Sequence, residues 1–528
     1  MTRQISRRSM LKATGATAGA VGAAMGAGAG IGIGIGIGIG TTALAPPAAA
    51  AGASFAHPGL LHTRADLDRM AAKVKAGAAP HTAGFAKLTA NRHAQSGWTA
   101  NPQATVVRGG AGQNYAILYN DIHAAYQNAL RGHVSGDSAY LDTAVAILNA
   151  WSAELTTLAG NADRFLAAGI YGYQFANAAE LVRDHPGFEL GRFQEMLTTV
   201  FAPLSDSFLV RHNDAVVSNY WTNWDLTAMC CVLATGILCD DKAQVARAVE
   251  YFKHGEGLGS IRNAIPVVRD DGLAEWLEAG RDQGHALLGV GLMGTFCEMA
   301  WNQGIDLYGY DDSRFLKGAQ YVAKWAMGGE VPFTANTRRK GALNGWSGSE
   351  TVTEAAPVDP AMTRPIWAMI ANHYTKRRGL PASYLTRIAG KASPEGGGGD
   401  YGPNSGGYDQ LGFGTLAFTR DKVTGPGAGP GGSAGPAASG AASPAAGAGR
   451  GPGRRRTPGR RRGPRQRPPR PPPRPPPPPP ATSLPPAPTT SSAGPPPPAS
   501  PPSPAACSSC GAGSGSGAHP SRAASGLR

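Results

Sequence analysis

From residue 57 to residue 420, apolar residues return every three to four positions in segment after segment, and almost never every second position. That period admits helices, each with one apolar stripe to cover, and leaves little room for sheets. The stretch 63–77 opens on Thr63, an expected N-cap, and closes on Gly77. Further helices are expected over 115–132, 138–155, 171–185, 188–209, 223–240, 241–255, 284–304, 313–327 and 364–379. The exception is GSIRNAIPVVRDDG, residues 259–272, which reads as a loop or hairpin between helices.

Helices of this length with short connections form antiparallel hairpins. No fixed-period motif recurs, so a repeat solenoid is not indicated. The expected fold is all-α, an (α/α) toroid or incomplete barrel of helical hairpins around a central cleft. Trp221, Trp224, Trp276, Trp301 and Trp346 fall at or beside predicted loops and helix starts. Any one of them reads equally well as core. As a group beside polar residues they suit stacking on sugar rings.

The two ends of the chain differ from this middle. Residues 1–52 contain SRRSMLK, with paired Arg7 and Arg8, then an Ala/Gly stretch and the run IGIGIGIGIG. This resembles a twin-arginine export signal, which makes that export machinery a partner and the mature protein extracellular. Small residues around Ala51 and Ala53 suit cleavage, and the glycines make a poor spanning helix, so no membrane association is expected after processing. Past Val423 the chain turns Gly/Ala/Pro-rich, then Arg/Pro-rich, then Ser/Pro-rich, with no acid after Asp421. Such a segment buries too little apolar surface to offset its ordering entropy, so 423–528 is expected to be a disordered tail. It matters for the charge. Taking its 13 arginines and the leader's four cations from the net +14 leaves residues 53–422 at −3. The folded domain, 53–422, is therefore no basic nucleic-acid binder. The Arg run itself could touch nucleic acid or an anionic wall polymer, or be an unselected tail. Cys230, Cys231, Cys239 and Cys297 read as buried thiols, with a disulfide possible after export, and CSSC at 507–510 lies in low-complexity sequence.

The densest polar cluster is EAGRDQGH, residues 278–285. On a helix, Arg281 and His285 share a face and Glu278 lies one turn before Arg281. Gly280 and Gly284 would open the backbone to a ligand at a helix start, where N–H groups and the dipole favour an anion. The competing reading is a solvated face with a Glu278–Arg281 ion pair. Upstream, VVSNYWTNWD (216–225) offers Asn219, Tyr220, Trp221, Asn223 and Trp224, with each Asn also readable as a helix N-cap.

Two amides, an Arg, a His and a Tyr around an aromatic cleft fit β-elimination on a 4-linked uronic acid glycan. The C5 proton is weakly acidic while the neighbouring carboxylate is charged. Hydrogen bonds from Asn, Gln or Arg to that carboxylate stabilise the enolate-like intermediate. A neutral His or a Tyr takes the proton, and Tyr or another acid protonates the departing O4. The expected catalytic set is Arg281, His285, Tyr220, Asn219 and Asn223. Gln283, Glu278, Trp221, Trp224 and Trp276 are expected to bind substrate. The chemistry requires neither a metal nor an organic cofactor.

The segments HPGLLHTRADLDRM (57–70), NYWTNWDLTAM (219–229), EAGRDQGHALLGVG (278–291) and RPIWAMIANHYTKRRGL (364–380) together resemble bacterial secreted alginate lyase-domain proteins. The resemblance covers residues 55–420. It implies an α/α toroid, eliminative cleavage of alginate or a related polyuronate, and a carboxylate-binding role for Arg281. Better-known members carry an Asn-Asn-His run where this chain has Val216, Val217 and Ser218, and a Tyr where it has Leu288. Those departures draw attention to His285 as a candidate replacement base within the same helix, with a Tyr base the alternative.

Weaker candidates are His373 with Asn372 and Tyr374, Tyr308 and Tyr310, and Gln174. A glycoside hydrolase would need two opposed carboxylates, which Asp270, Asp271, Glu275 and Glu278 could supply. A non-catalytic acidic-glycan binder would use the same aromatics and Arg with no acid/base His. No zinc-protease, NTPase, esterase or dinucleotide-binding motif is present.

Overall fold

The computed structural model describes residues 54–399 and 408–423. The expected leader, the CSSC pair and the tail beyond Val423 lie outside the described residues. In chain order the helices are α1 (Arg64–Lys75), α2 (His81–Thr89), α3 (Tyr115–Ser135), α4 (Ser138–Glu154), α5 (Asp163–Leu181), α6 (Leu190–Met196) and α7 (Ala202–Arg211). There follow α8 (Thr222–Leu238), α9 (Lys242–His254), α10 (Ile261–Ala264), α11 (Gln283–Asn302), α12 (Tyr310–Ala326), α13 (Trp367–Asn372), α14 (Ser383–Ala392) and α15 (Gly414–Ala417). Three two-stranded pairs punctuate them: parallel β1 (Thr105–Val107) with β2 (Thr157–Ala159), antiparallel β3 (Val267–Val268) with β4 (Ala274–Glu275), and antiparallel β5 (Asn336–Gly341) with β6 (Ser347–Val352).

Burial sorts the helices into two layers. Every residue of α5 from Phe165 onward is buried, as is all of α8 except Trp224 and all of α11 except His285. Helices apolar all round belong inside. In contrast α9 buries only Gln244, Val245, Ala248 and Phe252, and α14 only Leu385 and Ile388. The inner helices form a closed ring: α3 packs on α5, α5 on α8, α8 on α11, α11 on α13, α13 on α15, α15 on α1, and α1 back on α3. Outside them, α4 covers α3, α7 and α9 cover α8, α12 covers α11, and α14 covers α13. This is an (α/α) toroid.

Because an outer helix returns the chain between inner ones, neighbouring inner helices run the same way. Gly169 and Gly172 of α5 meet Thr227 and Cys231 of α8 in rising order. The inner N-termini therefore collect on one rim, where their dipoles sum to a positive field. The last described residues take part in closing the ring. Arg420 is held between Asp66 of α1 (3.2 Å) and Glu298 of α11 (3.8 Å), and the Val423 N–H donates to the Lys376 carbonyl at 2.9 Å.

Several expectations need correcting. Helix α5 begins eight residues before its expected start at 171, because from Phe165 onward it is buried on every side and shows no polar stripe for the helical period to follow. A π-turn at Leu197–Phe201 interrupts the expected helix 188–209, and a second, His373–Arg377, ends α13. The β5–β6 hairpin was not expected from the sequence. Thr63 does cap α1, in a reciprocal capping box with Asp66. Among the described residues the four cysteines, Cys230, Cys231, Cys239 and Cys297, are free thiols; Cys230, Cys231 and Cys297 are buried, and burial raises their pKa. Among the described residues no helix is long and apolar enough to cross a membrane.

Candidate functional site

The EAGRDQGH segment is not one continuous helix. Residues Leu277–Gly280 form a 3-10 turn, the chain then extends through Asp282, and α11 starts at Gln283. Asp282 is the N-cap: its Oδ1 accepts the His285 backbone N–H at 2.8 Å. Its other oxygen accepts from His285 Nδ1 at 2.7 Å. That bond puts the proton on Nδ1 and leaves a lone pair on Nε2. Arg281 Nη2 donates to this Nε2 at 3.1 Å. Burial alone would raise the Asp282 pKa, but hydrogen bonds from the His285 side chain and backbone, with the charge of Arg281, outweigh it and hold the carboxyl below its usual value.

Arg281 is a junction between two inner helices. Its Nη1 donates to Glu278 Oε1 at 2.9 Å and to Asn223 Oδ1 at 3.3 Å. Glu278 is 0 % exposed, and its second oxygen accepts from the Thr222 hydroxyl and the Asn223 backbone N–H at the start of α8. The guanidinium lies 5.8 Å from the centroid of the Trp221 ring. A second guanidinium, Arg338 on β5, sits over the same ring at 4.3 Å. Arg338 is fixed by the carbonyls of Ser218 and Asn219 and by Glu350. Its pKa is lowered, chiefly by burial and in part by the charge of Arg281. Two cations sharing one indole, at a rim of helix N-termini, make a locus for an anion.

The structure thus brings together Arg281, His285, Asn223, Glu278 and Trp221, and adds Asp282 and Arg338. It assigns other expected residues elsewhere. Trp276 is 0 % exposed and packs against Gly289 in the core, so it does not line a cleft. Glu278 is likewise sealed from solvent and acts as an internal anchor. Gln283 is tied through both side-chain ends to the Asp359 backbone, at 3.0 and 2.7 Å. Asn219 Oδ1 accepts from the Gly341 N–H at 2.7 Å, which pins the hairpin. Neither Asn caps α8, because Trp221 holds the N-cap position. The Tyr220 hydroxyl accepts from Asn213 Nδ2 at 2.9 Å, and its ring packs on Phe208 and Trp224. Gly280 makes room for Phe333, not for a ligand: an added Cβ would lie 2.5 Å from the Phe333 ring.

The weaker candidates fall into the framework. His373 is buried, stacked at 3.6 Å on Tyr308, and Tyr308 bonds Gly294 and Glu298 inside the core. Gln174 donates to the Tyr408 carbonyl at 2.8 Å. Glu275 is buried and bonded to Arg269 and Thr334, so it does not face Glu278 across a cleft. A cavity of about 620 Å³ between α7 and α9 is lined by Leu209, His212, Val217, Arg247 and Tyr251 and leaves the Arg281 cluster outside. Among the described residues no group of three His, Cys, Asp or Glu is placed to hold a metal ion.

Sequence reasoning missed Arg338, Asp282's double role and Asn213. Asp282 was legible as a capping residue three before His285. Arg338 comes from a hairpin with polar residues on both faces, which carries no burial signal.

Comparison with known proteins places an alginate lyase family model on residues 100–333. Among solved structures, alginate lyase A1-III from Sphingomonas species A1 is similar, with 15 % identity and a TM-score of 0.44 over 70 % of this chain and 98 % of that one. A variant of A1-III complexed with a tetrasaccharide aligns at 12 % identity and TM-score 0.43, over 70 % and 98 % of the two chains. An alginate lyase from Bacteroides ovatus aligns at 14 % identity and TM-score 0.39, over 51 % and 84 %. No curated protein matches the chain.

Proposed function

We infer that this chain, whose residues 100–333 match an alginate lyase family model, is a polysaccharide lyase that cleaves a 4-linked polyuronate by β-elimination, with Arg281 binding the carboxylate and His285 removing the C5 proton. The observation that carries this reading is the chain Asp282–His285–Arg281, in which the imidazole is oriented with its Nε2 lone pair beside a cation.

Before substrate enters, Arg281 Nη2 occupies that lone pair. A uronate carboxylate is the stronger acceptor and takes over the Nη2–H, because a charged acceptor outcompetes a neutral one. The same exchange frees Nε2 as a base and neutralises the carboxylate next to C5. Nε2 takes the C5 proton, the C5–H electrons become the C4–C5 double bond, and the C4–O4 bond breaks. Asp282 stabilises the imidazolium so formed without taking its proton. Where C5–H and O4 share a ring face, the imidazolium can return the proton to O4, so one residue serves as base and acid. The Tyr220 hydroxyl, already held by Asn213, is the second choice for the acid. Arg338 and the α11 N-terminus add to the positive field that receives the substrate. Glu278 and Asn223 keep Arg281 in place.

The domain is proposed to act outside the cell after twin-arginine export, on the strength of Arg7 and Arg8 in the leader. The test is digestion of a panel of polyuronates, followed by ultraviolet absorbance of the C4–C5 double bond. New reducing ends without that absorbance would mean hydrolysis and overturn the elimination. Wild-type absorbance that persists in both His285→Ala and Arg281→Ala would overturn the site.

A further inference from the structure

We propose that the β5–β6 hairpin carries a second acidic-sugar subsite, with Trp346 as its stacking platform, that extends the Arg281 site along the polymer; the proposal rests on the lyase reading above. Trp346 at the hairpin tip is 70 % exposed and Leu343 59 %, the largest apolar side chains left uncovered near the site. The register decides where the indole lies. Arg338 pairs with Glu350 and Lys340 with Gly348, so these four residues share one face of the ribbon. A Cβ added to Gly348 would lie 3.0 Å from Cζ2 of Trp346, so the indole covers that same face. That is the face from which Arg338 reaches down to Trp221.

The face therefore reads, from the tip inward, Trp346, Lys340, Arg338, Trp221 and Arg281, with Glu350 opposite Arg338 and paired to both Arg338 and Lys340 until a sugar carboxylate competes for them. Two indoles bracket Lys340 and Arg338, and Arg281 lies beyond the second indole. From Gly348 to Glu350 is two residues of strand, about 7 Å, so the strip runs from the tip directly into the catalytic cluster. An acidic glycan offers what this strip asks for: apolar C–H ring faces for the indoles and a carboxylate on each sugar for the cations. The tip is also held still. Gly341 donates to Asn219 Oδ1 at 2.7 Å, Val216 donates to the Gly341 carbonyl at 3.0 Å, and Leu343 donates to the Asp214 carbonyl at 2.9 Å. Gly341 sits at φ +115°, where any side chain would strike the Trp346 carbonyl oxygen. The hairpin is thus built to present Trp346 in one orientation on the segment that leads into Tyr220 and Trp221.

The test compares wild type, Trp346→Ala and Trp346→Phe in two assays. In gel electrophoresis through a polyuronate, wild type and Trp346→Phe should be retarded and Trp346→Ala much less, while a neutral glucan gel should retard none. In initial rates on oligouronates of increasing length, Trp346→Ala should raise KM about five- to tenfold on long chains, the worth of one aromatic contact. It should leave kcat, and rates on the shortest cleaved oligomers, near wild type. The exposed indole can be removed without loss of melting temperature. Equal behaviour of Trp346→Ala and wild type on long chains, equal losses on short and long chains, or equal retardation by the neutral glucan would overturn the proposal. If wild type is retarded by uronate yet cleaves none, the lyase reading falls, and the subsite is still judged by the retardation of Trp346→Ala.

Discussion

Asp282→Asn separates the chemistry of the site from its architecture. Asp282 does two things at once: Oδ1 caps α11 through the His285 N–H at 2.8 Å, and Oδ2 receives the Nδ1 proton at 2.7 Å. Asn caps a helix about as well as Asp, so the helix start should lose only a few tenths of a kcal/mol, with about 1 kcal/mol more for the carboxylate's contacts to His285 and Arg281. The group facing Nδ1 becomes an amide N–H₂, however, a donor in place of an acceptor. The imidazole must then move its proton to Nε2 and loses the lone pair that would take the C5 proton. A base held in the wrong tautomer costs about 10²–10⁴ in rate, or about 3–5 kcal/mol of barrier. The Asp282 carboxyl has a depressed pKa, so its interaction is complete above the usual carboxylate range and fades only as pH falls through the depressed value. Near neutral pH the effect should therefore be independent of pH. The assay is kcat on a polyuronate by double-bond absorbance, beside thermal unfolding of the same variant. A folded Asp282→Asn with kcat within about threefold of wild type would refute the role of His285 as base.

Other consequences can be checked alongside. Arg281→Ala should abolish cleavage and also destabilise by about 2 kcal/mol, less than a fully buried pair because the guanidinium is 25 % exposed, since Glu278 is left charged and sealed. Adding Glu278→Gln should restore most of that stability in denaturant titrations and none of the activity; recovery of neither would show that the pair is not what couples α8 to α11. Glu395 accepts the Trp367 and Ala368 N–H groups at the start of α13, yet burial dominates and pushes its pKa from 4.5 up to about 7. The folded chain then holds a proton that the unfolded chain releases, so wild type should lose about 3 kcal/mol relative to Glu395→Gln between pH 4.5 and 7 and nothing more above it, as read from the difference of their unfolding curves. A chain ending at Val423 should fold and keep its turnover. One ending at Thr419 should melt markedly lower, because it removes Arg420 from between Asp66 and Glu298. Equal melting of the two would move the domain boundary inward.

The helical ring could be read from the sequence because its outer helices are amphipathic. The stripe of α9, Gln244, Val245, Ala248 and Phe252, is the kind of signal that period analysis detects. The inner helices were found with poorer edges. From Phe165 onward α5 is buried on every side, so no amphipathic stripe carried the pattern back to its charged start at Asp163 and Arg164. The hairpin escaped for the opposite reason: β5 and β6 are polar on both faces, and only Arg338 among their residues is buried. At the site, sequence proximity exposed Arg281 and His285 within one short segment. It could not show that Glu278 points inward to α8, or that Trp276, beside that segment, belongs to the core. Those are consequences of how the starts of α8 and α11 abut. The same abutment brings Asn223 to Arg281 across 58 residues of chain.

The ring is locked by its own two ends: Asp66 and Arg420, 354 residues apart, share an ion pair where α1 meets α15. Bringing such distant points together costs about 5 kcal/mol of loop-closure entropy. The inner helices before the last one can only form an open arc, with apolar surface showing at both broken edges. A chain emerging from the ribosome cannot complete the domain until residue 420 is clear, however early α1 has formed. Folding should therefore be late and cooperative, with the slow kinetics that long-range contacts impose. A twin-arginine route, which takes folded cargo, would then discriminate sharply: a closed ring would be accepted, and an arc missing its final helix would stay behind.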